Sequence, residues 1–339
     1  MKISRNLLLL GLLTLAFVSS VISCKPDEKT EDLIGNWITL NDFIGDARYE
    51  AVAFSINEIG YVGSGYNGDD RLKDFYAYDA DRNNWTMIST PPEQFAARTG
   101  AVAFSAAGKG YVGTGRDNTT ELKDFWVYDP GTNEWDSIAP LPVARYDAVA
   151  FSIDNKGYVG TGYNGSALLD FYQYDPGTDV WIPIANYPTK VRDAVAFVID
   201  NKGYVCTGQK NGETINDFYM YDPSADTWNV KRKISNVSDE AYDDDYTIVR
   251  EKAVAFTIGG KGYVTTGNLS GLVSDVWEYD PAADLWADKT AFEGKGRINA
   301  VAFSTTSGRG FVATGYNGSS AYYDDLLEFK PLADYNEDD

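Results

Sequence analysis

Short apolar segments recur along most of the chain, separated by polar stretches rich in Gly, Asp and Asn. The segment Ala-Val-Ala-Phe begins at Ala51, Ala101, Ala148, Ala194, Ala253 and Ala300. Behind each copy stands a Gly-aromatic-Val segment, headed by Gly60, Gly110, Gly157, Gly203, Gly262 and Gly310. An Asp-headed aromatic segment follows, at Asp74, Asp124, Asp170, Asp217 and Asp275, and in degraded form at Asp325. In five copies a Trp comes next, at positions 85, 135, 181, 228 and 286. Each segment is short, rich in β-branched and aromatic residues, and bounded by turn signals such as Asp129-Pro130-Gly131. That pattern predicts strands, not helices. Four strands in a unit of about 47 residues make one propeller blade, so the chain reads as an all-β, six-bladed β-propeller.

The sixth copy lacks a Trp after Phe329, and the missing piece stands at the other end. Asn36-Trp37-Ile38 matches Asn84-Trp85-Thr86 and precedes the first Ala-Val-Ala-Phe by an ordinary gap. The first strand is therefore expected to complete the last blade as its outermost strand, which closes the ring without an unpaired edge. The repeated Trp residues, with Trp126 and Trp277 of the third strands, are expected to be core.

The N-terminus follows another pattern. Lys2 and Arg5 precede an apolar run from Leu7 to Val18, too short to span a bilayer comfortably. The run leads to Val21-Ile22-Ser23-Cys24, which resembles a bacterial lipobox whose Cys24 is lipidated and becomes the mature N-terminus. The polar stretch 25–32 that follows resembles export signals that send some lipoproteins to the cell surface. The expected divisions are a signal peptide at 1–23, a lipid-anchored tether at 24–32, the propeller at 33–330 and an acidic tail at 331–339. The localisation expected from this is the cell envelope, at the outer membrane and surface-exposed, with the membrane as partner through the lipid.

Composition narrows the chemistry. Asp and Glu number 50 against 29 Lys and Arg, a net charge of −21, which excludes nucleic-acid binding through a broad basic surface. The chain has no histidine, which removes histidine-based nucleophile systems, histidine zinc sites and imidazole copper sites. No metal site or cofactor is expected. The second cysteine, Cys206, is expected to be a small buried thiol in a strand.

The repeat resembles kelch repeats over about residues 33 to 330. Their signature is a double glycine after the second strand, then a Tyr, then a Trp seven residues later. Here the double glycine becomes Ser64-Gly65, Thr114-Gly115, Thr161-Gly162, Thr207-Gly208, Thr266-Gly267 and Thr314-Gly315. The resemblance brings to mind galactose oxidase, but that copper chemistry needs histidines. A six-bladed kelch class that interconverts sialic acid anomers is the alternative enzyme reading, with Asp or Glu as acid and base; no motif assigns those residues.

In a propeller the loop entering the first strand and the loop after the second strand open on the same face. The first loop supplies Arg48, Arg98, Arg145, Arg250 and Arg297, each three residues before its Ala; Arg192 stands two before, with Val191 in the expected place. These arginines are expected to ring the channel mouth as an anion site, as rim arginines do in kelch propellers that capture acidic peptides. Pairing between blades, with Glu50, Asp147, Asp193 or Glu251, is the structural alternative. The second loop supplies Tyr66-Asn67, Tyr163-Asn164 and Tyr316-Asn317, suited to a sugar, although Asn-Gly is also a turn signal. The other blades carry Arg116-Asp117-Asn118, Gln209-Lys210-Asn211 and Asn268-Leu269-Ser270, the variation an asymmetric ligand site needs. The stretch from Trp228 to Arg250 is longer than its counterparts and is expected to be a solvated loop over the same face, with a lid or weak Ca²⁺ site as alternatives. The function expected is a non-enzymatic envelope binding or scaffold protein for an anionic ligand, a glycan or a protein partner.

Overall fold

A computed structural model describes residues 34–336 and 338; the expected signal peptide and tether, with Cys24, lie outside the described residues. Six four-stranded antiparallel sheets follow one another along the chain. Blade one is Val52–Ile56, Ile59–Gly63, Phe75–Asp79 and Asn84–Met87, in spatial order from first to fourth. The expected closing strand is present. Asn36–Thr39 pairs antiparallel with Leu326–Lys330, placing Trp37 opposite Phe329, so the sixth sheet is built from both ends of the described chain.

The repeated residues interlock the blades. The Phe of each Ala-Val-Ala-Phe packs on the second-strand glycine of the following blade. A Cβ on Gly110 would lie 2.1 Å from Phe54, and one on Gly157 2.1 Å from Phe104, so no larger residue fits. Each outer-strand Trp packs on the Tyr of its own third strand, as Trp85 does on Tyr78 with ring centroids 4.8 Å apart. In four of the six the indole N–H reaches back to the preceding blade: Trp85 donates to the Asn41 carbonyl (3.0 Å), Trp135 to Ser89, Trp181 to Ala139 and Trp228 to Ala185 (2.9 Å each), whereas those of Trp37 and Trp286 are buried without a partner. The aromatic surface thus serves both as core and as the seam between blades. Cys206 is fully buried, and burial pushes its thiol up, away from reactivity.

The long segment after Trp228 departs from the expected solvated loop. Ile234 and Ile248 are fully buried, and Tyr246 lies in the same cluster with Trp277 and Trp286. The Tyr246 hydroxyl donates to the Trp286 carbonyl (3.1 Å) and accepts the Trp286 N–H (2.8 Å). Its apolar residues, spaced among charges, anchor it. Asp243 is held inside the segment by Val237 N–H (3.1 Å) and by the Ser238 N–H and hydroxyl (3.0 and 2.7 Å). Among the described residues no group of three or more acidic or cysteine side chains is arranged to hold a metal.

Candidate ligand-binding face

Two backbone rings shape the mouth of the channel. The residue before each first-strand Ala has a left-handed φ: Glu50 (51°), Gly100 (60°), Asp147 (52°), Asp193 (56°), Lys252 (57°) and Asn299 (53°). The kink turns each N–H toward the preceding blade. Glu50 donates to Asn299, Gly100 to Glu50, Asp147 to Gly100, Asp193 to Asp147, Lys252 to Asp193 and Asn299 to Lys252, at 2.9–3.3 Å. The six bonds form a closed circle around the throat. Just outside it, each blade pairs its entering loop with its second loop: Tyr49 with Tyr66, Thr99 with Arg116, Tyr146 with Tyr163, Arg192 with Gln209, Glu251 with Asn268 and Ile298 with Tyr316. These paired positions carry the side chains around the mouth. The channel below is lined by small residues such as Ala51, Ala53, Ala101 and Ala103.

The arginines three residues before the first strand are not at this mouth. Arg48, Arg98, Arg145, Arg250 and Arg297 have no exposed surface. Each turns into its own blade and meets the Asp heading the third strand: Arg48 with Asp74 (2.6 Å), Arg98 with Asp124 (2.7 Å), Arg145 with Asp170 (2.7 Å), Arg250 with Asp275 (2.8 Å) and Arg297 with Asp325 (2.5 Å). Four of the pairs are bidentate; Arg250 reaches only one oxygen of Asp275. The partner is therefore the third-strand Asp within the blade, not a carboxylate of the entering loop. Burial raises the Asp74 and Asp275 carboxyls, but the arginine hydrogen bonds and charge outweigh it and bring both below the usual carboxylate range.

The same arginines hold the altered glycine motif. Ser64, Thr114, Thr161, Thr266 and Thr314 adopt φ of 56–61°, a conformation costly for a side chain with a Cβ, and each carbonyl accepts from the neighbouring arginine at 2.8–3.2 Å. The hydroxyls of all five, and of Thr207, are buried without a hydrogen-bond partner. These are the positions where the family pattern has glycine, and the arginine hydrogen bond holds each carbonyl in that conformation. Blade four has Val191 at the arginine position; there Lys233 and Thr189 bond Asp217 instead, each at 2.7 Å.

The cations left at the mouth are others. Arg192 is 30% exposed; its contacts with Asp193 (3.5 Å) and Asp147 (4.0 Å) are longer than hydrogen bonds. Arg116 has no carboxylate within 4.0 Å among the described residues, and its Nε is buried without a partner. The two guanidinium groups flank two rings. Arg116 lies over Tyr146 (4.8 Å), Arg192 over Tyr163 (4.9 Å), and the two tyrosines are 5.5 Å apart. Under Arg192 lie two carboxylates. Burial, followed by the charges of Asp193 and Glu50, raises Asp147 well above its ordinary value against the pull of Arg192 and Arg116. Burial pushes Asp193 up to about 6, against Lys252, Arg192 and a hydrogen bond from Gln209 (3.1 Å). The opposite side of the mouth is a tyrosine cluster: Tyr49 stacks on Tyr316 (5.1 Å), and Tyr316 on Tyr322 (5.0 Å).

The remaining predicted residues divide by type. Tyr66, Tyr163 and Tyr316 stand half-buried around the mouth. The asparagines build turns. Asn67 accepts the N–H groups of Asp69 and Asp70, Asn317 accepts those of Ser319, Ser320 and Ala321, and Asn164 donates to the Ala144 carbonyl. Arg116 was not among the predicted ligand-binding residues. Its signal is that it replaces the repeated Tyr in blade two, where repeat symmetry calls for an aromatic.

A model of the kelch-repeats domain of KLHDC2, KLHL20 and DRC7 matches residues 37–142. That span starts at the closing Trp37 and runs through the first two blades, and the same strand order holds in all six sheets. The chain is a kelch-repeat β-propeller. No curated protein matches it. A kelch propeller is a protein-binding or scaffold architecture in general.

Proposed function

We propose that this propeller is a non-enzymatic binding protein that captures an acidic partner at the channel mouth, with Arg116 and Arg192 as the recognising cations. The observation that carries this reading is the Arg116-Tyr146-Tyr163-Arg192 row, with no carboxylate within 4.0 Å of Arg116 among the described residues. Two guanidinium groups braced on rings are pre-oriented for carboxylates, and little side-chain entropy is lost when a ligand docks. The tyrosines across the mouth add amphipathic contact area of the kind that dominates protein interfaces. A net charge of −21 discourages acidic partners elsewhere on the surface and leaves the mouth as a local exception.

The propeller is placed at the cell envelope on the lipobox-like Val21-Ile22-Ser23-Cys24 alone. Metabolic labelling with a palmitate analogue tests it: wild type takes up label, Cys24→Ser does not, and label on Cys24→Ser defeats the assignment. For the mouth, titration with an octaglutamate peptide is the direct assay. Binding that is lost in Arg116→Ala and Arg192→Ala supports the reading, and absence of binding by the wild type to this peptide and to an acidic-peptide array overturns it.

A further inference from the structure

Three departures from the repeat meet in one cleft between blades four and five. Val191 replaces the buried arginine, and the Asp217 and Thr189 that this leaves to bond each other line the cleft. The loop after the second strand forms its own ribbon, Gln209–Lys210 against Glu213–Thr214. The long segment before Arg250 supplies the facing wall. The cavity between them is about 620 Å³, within the range of roughly 300–1,000 Å³ common for small-molecule sites. In a repeat protein each blade can fulfil the same packing rules. Convergence of three exceptions on one cavity is a departure that packing does not require.

The lining has a definite chemistry. The Lys210 ammonium and the Thr214 and Ser235 hydroxyls line it with no hydrogen-bond or ion-pair partner among the described residues. Asp217, also in the wall, is bonded by Lys233 and Thr189; the Lys210 charge acts on it too, but without forming an ion pair, which leaves the Lys210 ammonium open to a ligand. Val249 and Leu269 give the cavity an apolar side. We propose that this cleft is a second ligand site that takes an acidic saccharide, its carboxylate on Lys210, its hydroxyls on Thr214 and Ser235, and its C–H face on Val249 and Leu269. A sugar acid presents these three surfaces together. The site does not rest on the reading given for the channel mouth, since neither Arg116 nor Arg192 lines it.

The test is calorimetric titration of the purified protein with trigalacturonate, with maltotriose as the uncharged control. The expected result is saturable binding of trigalacturonate and at least about tenfold weaker binding of maltotriose, the scale of one charge-assisted hydrogen bond. Lys210→Ala is expected to weaken trigalacturonate by a similar factor, and Thr214→Val with Ser235→Ala to weaken it further, at unchanged melting temperature. Arg116→Ala with Arg192→Ala is expected to leave that affinity within about twofold, since neither arginine side chain lines the cavity. No saturation at millimolar trigalacturonate, equal binding of maltotriose, or loss only in the mouth variant would overturn the proposal.

Discussion

Two groups of arginines share one face of the propeller and have opposite roles. Arg48, Arg98, Arg145, Arg250 and Arg297 are enclosed, each tied to a third-strand Asp, and four of them through both oxygens. Arg116 and Arg192 lie on tyrosine faces and have no hydrogen-bonded carboxylate. The difference comes from register. An arginine three residues before the first strand falls inside the blade, beside the third-strand Asp and a left-handed Ser or Thr carbonyl. One residue later, as at Arg192, it falls on the outer pairing ring and faces the mouth, which Arg116 reaches from the loop after the second strand. Blade four shows the shift within one sequence: Val191 takes the inner place and Arg192 the outer.

The largest effect should come from breaking an enclosed pair. Arg98→Ala leaves Asp124 without its partner and removes the clamp on the Thr114 carbonyl. A loss of roughly 2–3 kcal/mol is expected, read from urea unfolding, because two charge-assisted bonds and the Thr114 carbonyl contact go while Asp124, 37% exposed, regains water. A loss under about 1 kcal/mol would place Arg98 with the mouth group instead. At the mouth the balance reverses. Arg116→Ala with Arg192→Ala should remove acidic-peptide binding at a smaller stability cost than Arg98→Ala, since the raised Asp147 and Asp193 can take up protons when the two cations are lost.

Acidity sharpens the contrast. Asp193 is raised above its unfolded value, so the folded state holds the extra proton, and stability rises as pH falls through the window between about 4 and about 6. Asp74 and Asp275 are lowered, so the stability they contribute is present above the ordinary carboxylate range and is lost as pH falls below it. Protonating Asp193 also removes a competitor for Arg192. Octaglutamate affinity should increase several-fold between pH 7.5 and 5, and Asp193→Asn should flatten that profile. A profile that still steepens in Asp193→Asn would assign the proton elsewhere.

The smallest effect concerns the altered motif. Thr161→Gly relieves a left-handed β-branched residue and removes a buried, unpartnered hydroxyl, at the cost of a buried methyl and added chain entropy. A net gain of about 1 kcal/mol is expected in thermal unfolding, and a loss of that size would show that the arginine clamp already removes the strain.

The blade count, the strand order and the closing role of Trp37 were legible in the sequence, because each rests on periodic residues with one packing role. The fate of the arginines was not. Their nearest carboxylates in sequence, such as Glu50 beside Arg48, are not their partners; Asp74 stands 26 residues away and comes into reach only when the blade folds. The clue was the joint recurrence of Arg and third-strand Asp in register. The long segment misled because its charges outnumber Ile234, Tyr246 and Ile248, the residues that anchor it. The Asn-Gly turns were legible as turns, and the asparagine side chains build them.

The most direct measurement is a paired titration of octaglutamate into wild type and into Arg116→Ala with Arg192→Ala, each with its melting temperature. The account predicts binding by the wild type, a loss of at least about tenfold in the double variant, and a smaller fall in melting temperature than Arg98→Ala gives. Equal affinity in the two proteins would contradict the assignment of the mouth arginines as the recognising cations.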